Sequence, residues 1–179
     1  MSCTDEHEEI SQPAQFLVDN IRLLTPGKAL DIAMGSGRNA IYLAKNRFEV
    51  EGVDISEDAV KTALKLASEN GVTIQARIAD LEKDYQITPG SYDVIICFNY
   101  LQRSLVPQIK AGLKIQGMIV YETFIIDQPR FGKPYNPCFL LKYNELLEMF
   151  RDFRCLRYRE GVFEDSKAIA SIIAQKIDR

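Results

Sequence analysis

Histidine is almost missing from this chain. Among 179 residues the one example is His7, in a polar stretch read here as a solvated terminal segment. Catalysis through a Ser-His pair, and metal sites built from histidines, are thereby nearly excluded. The four cysteines, Cys3, Cys97, Cys138 and Cys155, are scattered with no C-x-x-C pair, which argues against a disulfide framework or a zinc site. No metal is expected. No apolar run approaches the ~20 residues needed to span a bilayer, so no membrane partner is expected. Met1 to Glu9 carries Asp5, Glu6, Glu8 and Glu9, without the basic start or apolar stretch of a secretion signal. A cytoplasmic protein is the expectation. Positive charge is also short. The formal net charge of −3 argues against nucleic acid held by bulk electrostatics and leaves room only for a local basic patch. The rest is ordinary globular composition, 46% hydrophobic and 26% charged, in a length that suits one domain.

Apolar periodicity then divides the chain into alternating elements. Residues 1–10 read as a disordered tail and 11–25 as an N-terminal helix. Phe16, Leu17, Ile21 and Leu24 share one face of that helix, and Thr25-Pro26-Gly27 ends it. Lys28 to Met34 reads as a short buried strand, Gly37 to Asn46 as a helix, and Glu49 to Ile55 as a second strand. Ser56 caps a helix with Ala59, Ala63, Leu64 and Ala67 inward, closed by Asn70-Gly71. Val72 to Leu81 alternates as a third strand. Tyr92 to Phe98 is apolar nearly throughout, as a strand buried on both faces would be. A helix over Leu105 to Lys114 and a strand over Gly117 to Ile126 follow. Asp127 to Leu141 is irregular, Tyr143 to Phe150 is a short helix, and Phe153 to Val162 and Ala168 to Ile177 close the chain as strands. Alternation implies a parallel, doubly wound α/β sheet with helices on both faces. The short turn between the last two strands allows only an antiparallel hairpin, placing one antiparallel member at the sheet edge.

Ligands of such sheets sit beyond the carboxyl ends of the strands. At the first end, Leu30-Asp31-Ile32-Ala33-Met34-Gly35-Ser36-Gly37-Arg38-Asn39, two glycines lie between strand and helix, where they permit a tight turn and contact with bare backbone. At the second, Asp54 follows Gly37 by 17 positions, about where an acidic side chain would hold the hydroxyls of a ribose. At the third stands Asp80. Gly35-x-Gly37-x-x-Ala40 also fits the dinucleotide fingerprint. A diphosphate, however, wants amides and little negative charge, and a like charge at ~4 Å costs about 4 kcal/mol at an effective dielectric near 20. Three carboxylates at neighbouring strand ends favour a cofactor with sulfonium and ammonium groups.

The stretches LDIAMGSGRNAIYLA, VDIS, IADL and YDVIICFNYL resemble the successive motifs of class I S-adenosylmethionine-dependent methyltransferases. Gly-Ser-Gly-Arg-Asn before a helix, with YETFIIDQPRFGKPYNPCFLLKYNELLEMF, is similar to their tellurite-resistance-type branch. The resemblance implies a Rossmann-like, single-domain, seven-stranded sheet of order 3-2-1-4-5-7-6 with strand 7 antiparallel. It implies S-adenosyl-L-methionine as cofactor and S-adenosyl-L-homocysteine as product. The Asp31 to Gly37 turn, with Ala33, Gly35, Arg38 and Asn39, would hold the methionine part. Asp54 and Ile55 would take the ribose side, Asp80 and Leu81 the adenine, and Phe98 and Asn99 would lie near the methyl group. Two departures stand out. Ala33 replaces the first glycine of the family turn, and Asn99-Tyr100-Leu101-Gln102 lacks the two prolines of the Asn/Asp-Pro-Pro-Tyr signature, which lowers the expectation of adenine-amino or glutamine-amide methylation.

Methyl transfer from a sulfonium mainly requires alignment, with a base nearby for an amine or hydroxyl acceptor. Tyr121, Glu122 and Arg103 are the candidate catalytic residues, with Arg38 near the mouth. Asp127 to Leu141, with Arg130 and Lys133, is the expected substrate cover. Arg154, Arg157 and Arg159 read as an exposed strand face and not as a nucleic-acid site. The expected partner is a small molecule or an oxyanion of the tellurite or selenite kind. A macromolecular acceptor, or a cofactor-binding protein without catalysis, stays open as an alternative, as do monomer and homodimer.

Overall fold

The computed structural model describes residues 12–83 and 85–178; the expected tail at 1–10 lies outside them. Seven strands form one sheet: β1 Lys28–Ile32, β2 Glu49–Asp54, β3 Gln75–Ile78, β4 Tyr92–Phe98, β5 Leu113–Phe124, β6 Arg154–Phe163 and β7 Lys167–Gln175. Their order is β3-β2-β1-β4-β5-β7-β6, as the family resemblance implies. Strands β1 to β5 pair in parallel, and β7 runs antiparallel to both β5 and β6.

The antiparallel strand is not at the edge, where the hairpin argument put it. It lies between β5 and β6. Composition explains the order. From Ala168 to Ala174 every residue of β7 is buried, so the strand needs cover on both faces and both sides. β6 is charged along much of its length and takes the exposed edge, where charge discourages further pairing. The opposite edge strand, β3, is shorter than the expected 72–81, since it pairs on one side only, against Glu51 to Asp54 of β2.

The helices are α1 Gln15–Asn20, continued by a 3-10 turn Ile21–Leu23, then α2 Arg38–Lys45, α3 Glu57–Glu69, α4 Val106–Gly112 and α5 Glu145–Met149. The Ser56 hydroxyl accepts from the Ala59 amide at 3.2 Å, with Glu57 and Asp58 in the first turn, which satisfies an open amide and the helix dipole together. The buried line of α3 is Val60, Ala63 and Ala67. Leu64, expected in that stripe, is exposed and Ala59 is half-buried, because both flank the line that meets the sheet. Helix α4 stops at Gly112, where a Cβ would lie 2.4 Å from Ile87. β5 starts at Leu113, four residues before the expected Gly117.

Successive residues of a strand face opposite sides of the sheet, and two cores result. One contains Ala29, Val94, Ile96, Phe98 and Val120 under Phe16, Leu17, Leu43, Val60 and Ala63, which come from α1, α2 and α3. The other contains Leu30, Ile95, Cys97, Ile119 and Tyr121 with Ile109 of α4, Leu146 of α5 and Phe150.

Gly37 is where the helical layer is tightest. Its φ is +80°, and a Cβ would lie 2.8 Å from the Ala63 Cβ on α3. The residue thus serves helix packing as well as the turn. Gly37→Ala is expected to lower the unfolding free energy by about 1–3 kcal/mol through overpacking and left-handed strain. A denaturant melt with an unchanged midpoint would refute this.

Candidate active site

A cleft of about 820 Å³ opens at the carboxyl ends of the central strands. Asp31, Ala33 and Gly35 border it at the β1 turn, Phe98, Asn99 and Tyr100 after β4, and Glu122 and Phe124 on β5. Gln12 to Gln15 also border it, as do Glu164, Ser166 and Lys167 at the tip of the β6–β7 hairpin. The Asn39 side-chain oxygen accepts from the Ala14 amide at 2.8 Å, and Arg38 donates to the Gln12 carbonyl at 3.2 Å. Both side chains therefore fasten the N-terminal segment beside the glycine turn.

Asp31 is the unusual group of the cleft. It is 2% exposed. Its Oδ2 is the one fully buried side-chain polar atom without a hydrogen-bond partner among the described residues. Burial pushes its pKa up to about 8; the Ala40 amide in the first turn of α2 and the Arg38 charge pull it down, and Asp54 raises it further. An unsatisfied buried carboxyl is destabilising, and it borders open space. Next to it Gly35 has φ +55°, and nothing lies within 4 Å of where its Cβ would be. The bare backbone of Gly35 and Asp31, whose Oδ2 is buried without a partner, thus border one cleft. A ligand with an ammonium group and a backbone-sized contact fits both. Ala33 also adopts a left-handed φ of 53°, a conformation that costs a non-glycine residue about 1–2 kcal/mol. The glycine usual in the family turn is explained by that angle.

The other acidic strand ends are already engaged. Asp54 accepts from the Gly35 amide at 2.8 Å through Oδ2 and from the Ser56 amide at 2.9 Å through Oδ1. It ties the first strand end to the second and keeps lone pairs for further donors. Asp80 accepts from the Glu82 amide at 2.8 Å and pairs with Lys83 at 3.0 Å; that amide and that lysine hold its carboxyl below the usual range. Leu81 is buried, and Ile55 beside Asp54 is 67% exposed. Gly37, Asp54, Ile55, Asp80 and Leu81 do not border the large cleft.

On β5 the sheet separates two candidates that are adjacent in sequence. Glu122 points to the cleft side, and Tyr121 to the other core. Tyr121 is 1% exposed, donates to the Tyr100 carbonyl at 2.9 Å and packs near the Phe150 ring. Alternation along the strand turns it away from the cleft and into the core around Phe150. Arg103 is likewise taken up. It grips Glu145 through Nε and Nη2 at 2.6 and 3.0 Å and donates to the Cys138 and Leu140 carbonyls at 2.9 Å each. It fixes the segment after β5 and does not border the cleft.

Glu122 is 6% exposed and belongs to a row across four strands. Phe98 pairs with Glu122, Glu122 with Ser171, and Ser171 with Arg159. Its Oε2 accepts from the Ser171 hydroxyl at 2.6 Å and from Arg159 Nη2 at 3.0 Å, while Arg159 Nε donates to Ser171 at 3.1 Å. The guanidinium lies 4.8 Å from the Phe16 ring centroid and 4.6 Å from that of Phe163. Arg159 is therefore not part of an exposed strand face; Arg154 and Arg157 are exposed.

The segment 127–141 folds as two 3-10 turns, Gln128–Arg130 and Pro137–Phe139. The buried Gln128 holds it, accepting from the Ala168 amide at 2.8 Å and donating to the Lys133 carbonyl at 3.1 Å. Lys133, Pro134 and Phe139 border a smaller cavity of about 330 Å³, which shares Asn99, Tyr100 and Phe124 with the cleft. Arg130 pairs with Asp127 at 3.5 Å. Tyr100, at the junction of both spaces, escaped the sequence reading, as did Gln128, Ser171 and the hairpin tip. The signal for Tyr100 was its place directly after a buried strand.

This strand order, with acidic residues at the ends of β1, β2 and β3 around a glycine turn, defines the class I methyltransferase fold. The crystal structure of TehB from Haemophilus influenzae superposes with a TM-score of 0.76 at 21% identity, over 91% of this chain and 62% of that one. A family model described as tellurite resistance protein TehB matches residues 4–173, and the chain belongs to that family. Curated relatives include Hemagglutinin 1 of Eikenella corrodens, 28% identical over 153 residues (79% of this chain, 49% of the relative). Another is the probable S-adenosyl-L-methionine-dependent methyltransferase TehB of Haemophilus influenzae, 26% identical over 156 residues (83% of this chain, 53% of the relative). The chain spans about half the length of these relatives.

Asp31 generates a stability prediction. Its pKa, raised to about 8 from 3.8, means that the folded state keeps a proton the unfolded state has lost between those values. Stability of the ligand-free protein should fall as pH rises through that window. Asp31→Asn should remove this loss and be more stable than the wild type at pH 8, with little difference at pH 4. Parallel pH profiles for the two proteins in urea melts would contradict it.

Proposed function

We propose that this chain binds S-adenosyl-L-methionine and transfers its methyl group to a small-molecule acceptor. The observation that carries the reading is the partnerless Oδ2 of buried Asp31, bordering the cleft beside Gly35. Bound there, S-adenosyl-L-methionine would supply an electrophilic methyl on a positively charged sulfur. Asp31 takes the ammonium group of the methionine part, and the bare backbone at Gly35 lets the ligand approach. Asp54 offers its remaining lone pairs to the ribose hydroxyls. Ile55 lends an exposed apolar face beside them, and Asp80 with Leu81 receives the adenine. Phe98 and Asn99 line the space next to the methyl group, and Glu122 takes the proton of an acceptor N–H or O–H.

A dinucleotide fits less well. Its diphosphate would lie over Gly35, whose amide is already taken by the Asp54 carboxylate, and that carboxylate repels negative charge. A small acceptor is favoured by a cleft bordered by both the fastened N-terminal segment and the hairpin tip. The chain carries a net charge of −3, which gives little support to a nucleic-acid acceptor.

Thermal unfolding with added nucleotide tests the reading. S-adenosyl-L-homocysteine should stabilise the protein by about 2.7 kcal/mol at a hundredfold excess over its Kd, and NAD should do nothing. Asp54→Ala should weaken S-adenosyl-L-homocysteine binding by about 1–3 kcal/mol. Stabilisation by NAD alone, or unchanged affinity in Asp54→Ala, would reject the assignment.

A further inference from the structure

The smaller cavity, of about 330 Å³, is bordered by three aromatic residues, Tyr100, Phe124 and Phe139, together with Leu101 and Pro134. Polar contacts of the backbone place all three. The Tyr100 carbonyl accepts from the Tyr121 hydroxyl at 2.9 Å and from the Cys97 thiol at 3.6 Å. The Asn99 amide before it donates to the Glu122 carbonyl at 2.9 Å. Arg103 holds the carbonyls on either side of Phe139, those of Cys138 and Leu140. The Leu141 amide donates to the Phe124 carbonyl at 2.9 Å, which joins that segment to β5. Phe139 is nevertheless 51% exposed. A large apolar ring in water is unfavourable, yet the contacts around it fix it at the border of an open cavity. The two charged residues at that border, Lys133 and Glu82, are of opposite sign, so net charge does not select what enters.

We infer that this cavity is a ring pocket for an organic acceptor: it takes a planar, uncharged aromatic group and lets its substituent reach the cleft past Asn99, Tyr100 and Phe124, the residues common to both spaces. The inference rests on the methyltransferase reading above and names a class of acceptor for it. Aromatic rings attract one another beyond the gain from buried area, and Leu101 and Pro134 add apolar surface. A cavity of about 330 Å³ lies at the small end of ligand pockets and suits one ring or two fused rings. The cofactor's adenine has a separate place under the same reading, since Asp80 and Leu81 border neither space. Arg38 and Lys167 border the cleft and not the cavity. The pocket therefore adds an aromatic class of acceptor and takes nothing from the cleft's capacity for an anion.

Ligand-observed NMR titration of the full chain saturated with S-adenosyl-L-homocysteine tests this. The probes are phenol, catechol and indole, with cyclohexane-1,2-diol as the non-aromatic match to catechol. At least one aromatic probe should bind, and catechol should bind about two- to tenfold more tightly than the diol. Phe139→Ala should weaken the aromatic probes about fivefold or more and leave the affinity for S-adenosyl-L-homocysteine unchanged. Phe139 is half-exposed, and a thermal melt establishes that the variant is folded. Phe139→Leu, which keeps apolar bulk without a ring, should remove the preference for catechol over the diol. The inference is overturned if no aromatic probe binds, if the diol binds as tightly as catechol, or if Phe139→Ala leaves the probe affinities unchanged. It is also overturned if Phe139→Ala weakens S-adenosyl-L-homocysteine or if the probes compete with it, since the cavity would then belong to the adenine. Failure of S-adenosyl-L-homocysteine to bind the wild type would instead remove the underlying methyltransferase reading.

Discussion

Asp31 is a carboxyl group placed where a carboxyl group is costly. It sits on β1, between β2 and β4, under the first turn of α2 and beside a segment fastened by Asn39 and Arg38. Each of these neighbours removes water, and burial is the largest influence on its pKa. Asp54, hydrogen-bonded to the Gly35 amide, shapes the turn next to it and adds a like charge. The sheet centre therefore stores an unfavourable interaction, and under the proposed function a cationic ligand would relieve it. A stability loss confined to one group at a ligand cleft is the usual trade between folding and binding.

Sheet parity decides which chemistry reaches that ligand. Tyr121 and Glu122 are neighbours in sequence, yet one belongs to the core with Phe150 and the other to the cleft. The row Phe98, Glu122, Ser171 and Arg159 then crosses β4, β5, β7 and β6 in register. This row joins the fold's edge to the site. Arg159 on the edge strand is stacked against Phe16 of α1 and Phe163 of its own strand, so packing at the rim of the molecule fixes a carboxylate in its interior. Arg103 performs a comparable task after β5, drawing Cys138, Leu140 and Glu145 together beside the smaller cavity.

Much of the architecture was legible before any coordinates. The alternation of apolar runs located every strand, and acidic residues at three successive strand ends marked the side of the sheet where the cleft opens. The Ser56 cap was visible in the residues themselves. What sequence could not supply was register. Without the pairing of Ser171 with both Glu122 and Arg159, an arginine in a charged strand reads as a surface residue. The edge position expected for the antiparallel strand failed for a related reason. A hairpin fixes two strands relative to each other, but which of them faces β5 depends on the buried length of β7. Gly37 reads as a ligand glycine from its motif, while its tightest constraint is Ala63, a contact between two helices distant in sequence. Gln12 to Gln15 carry no motif, and become part of the cleft only through Asn39 and Arg38.

The most direct measurement is proton release. Titrating S-adenosyl-L-homocysteine into the protein at pH 7, in buffers of different ionisation enthalpy, counts protons exchanged on binding. If Asp31 is protonated in the free protein and becomes a carboxylate against the ligand's ammonium, binding releases close to one proton, and Asp31→Asn abolishes the release. Binding without proton release in the wild type, or the same release from Asp31→Asn, would contradict the role assigned to this side chain.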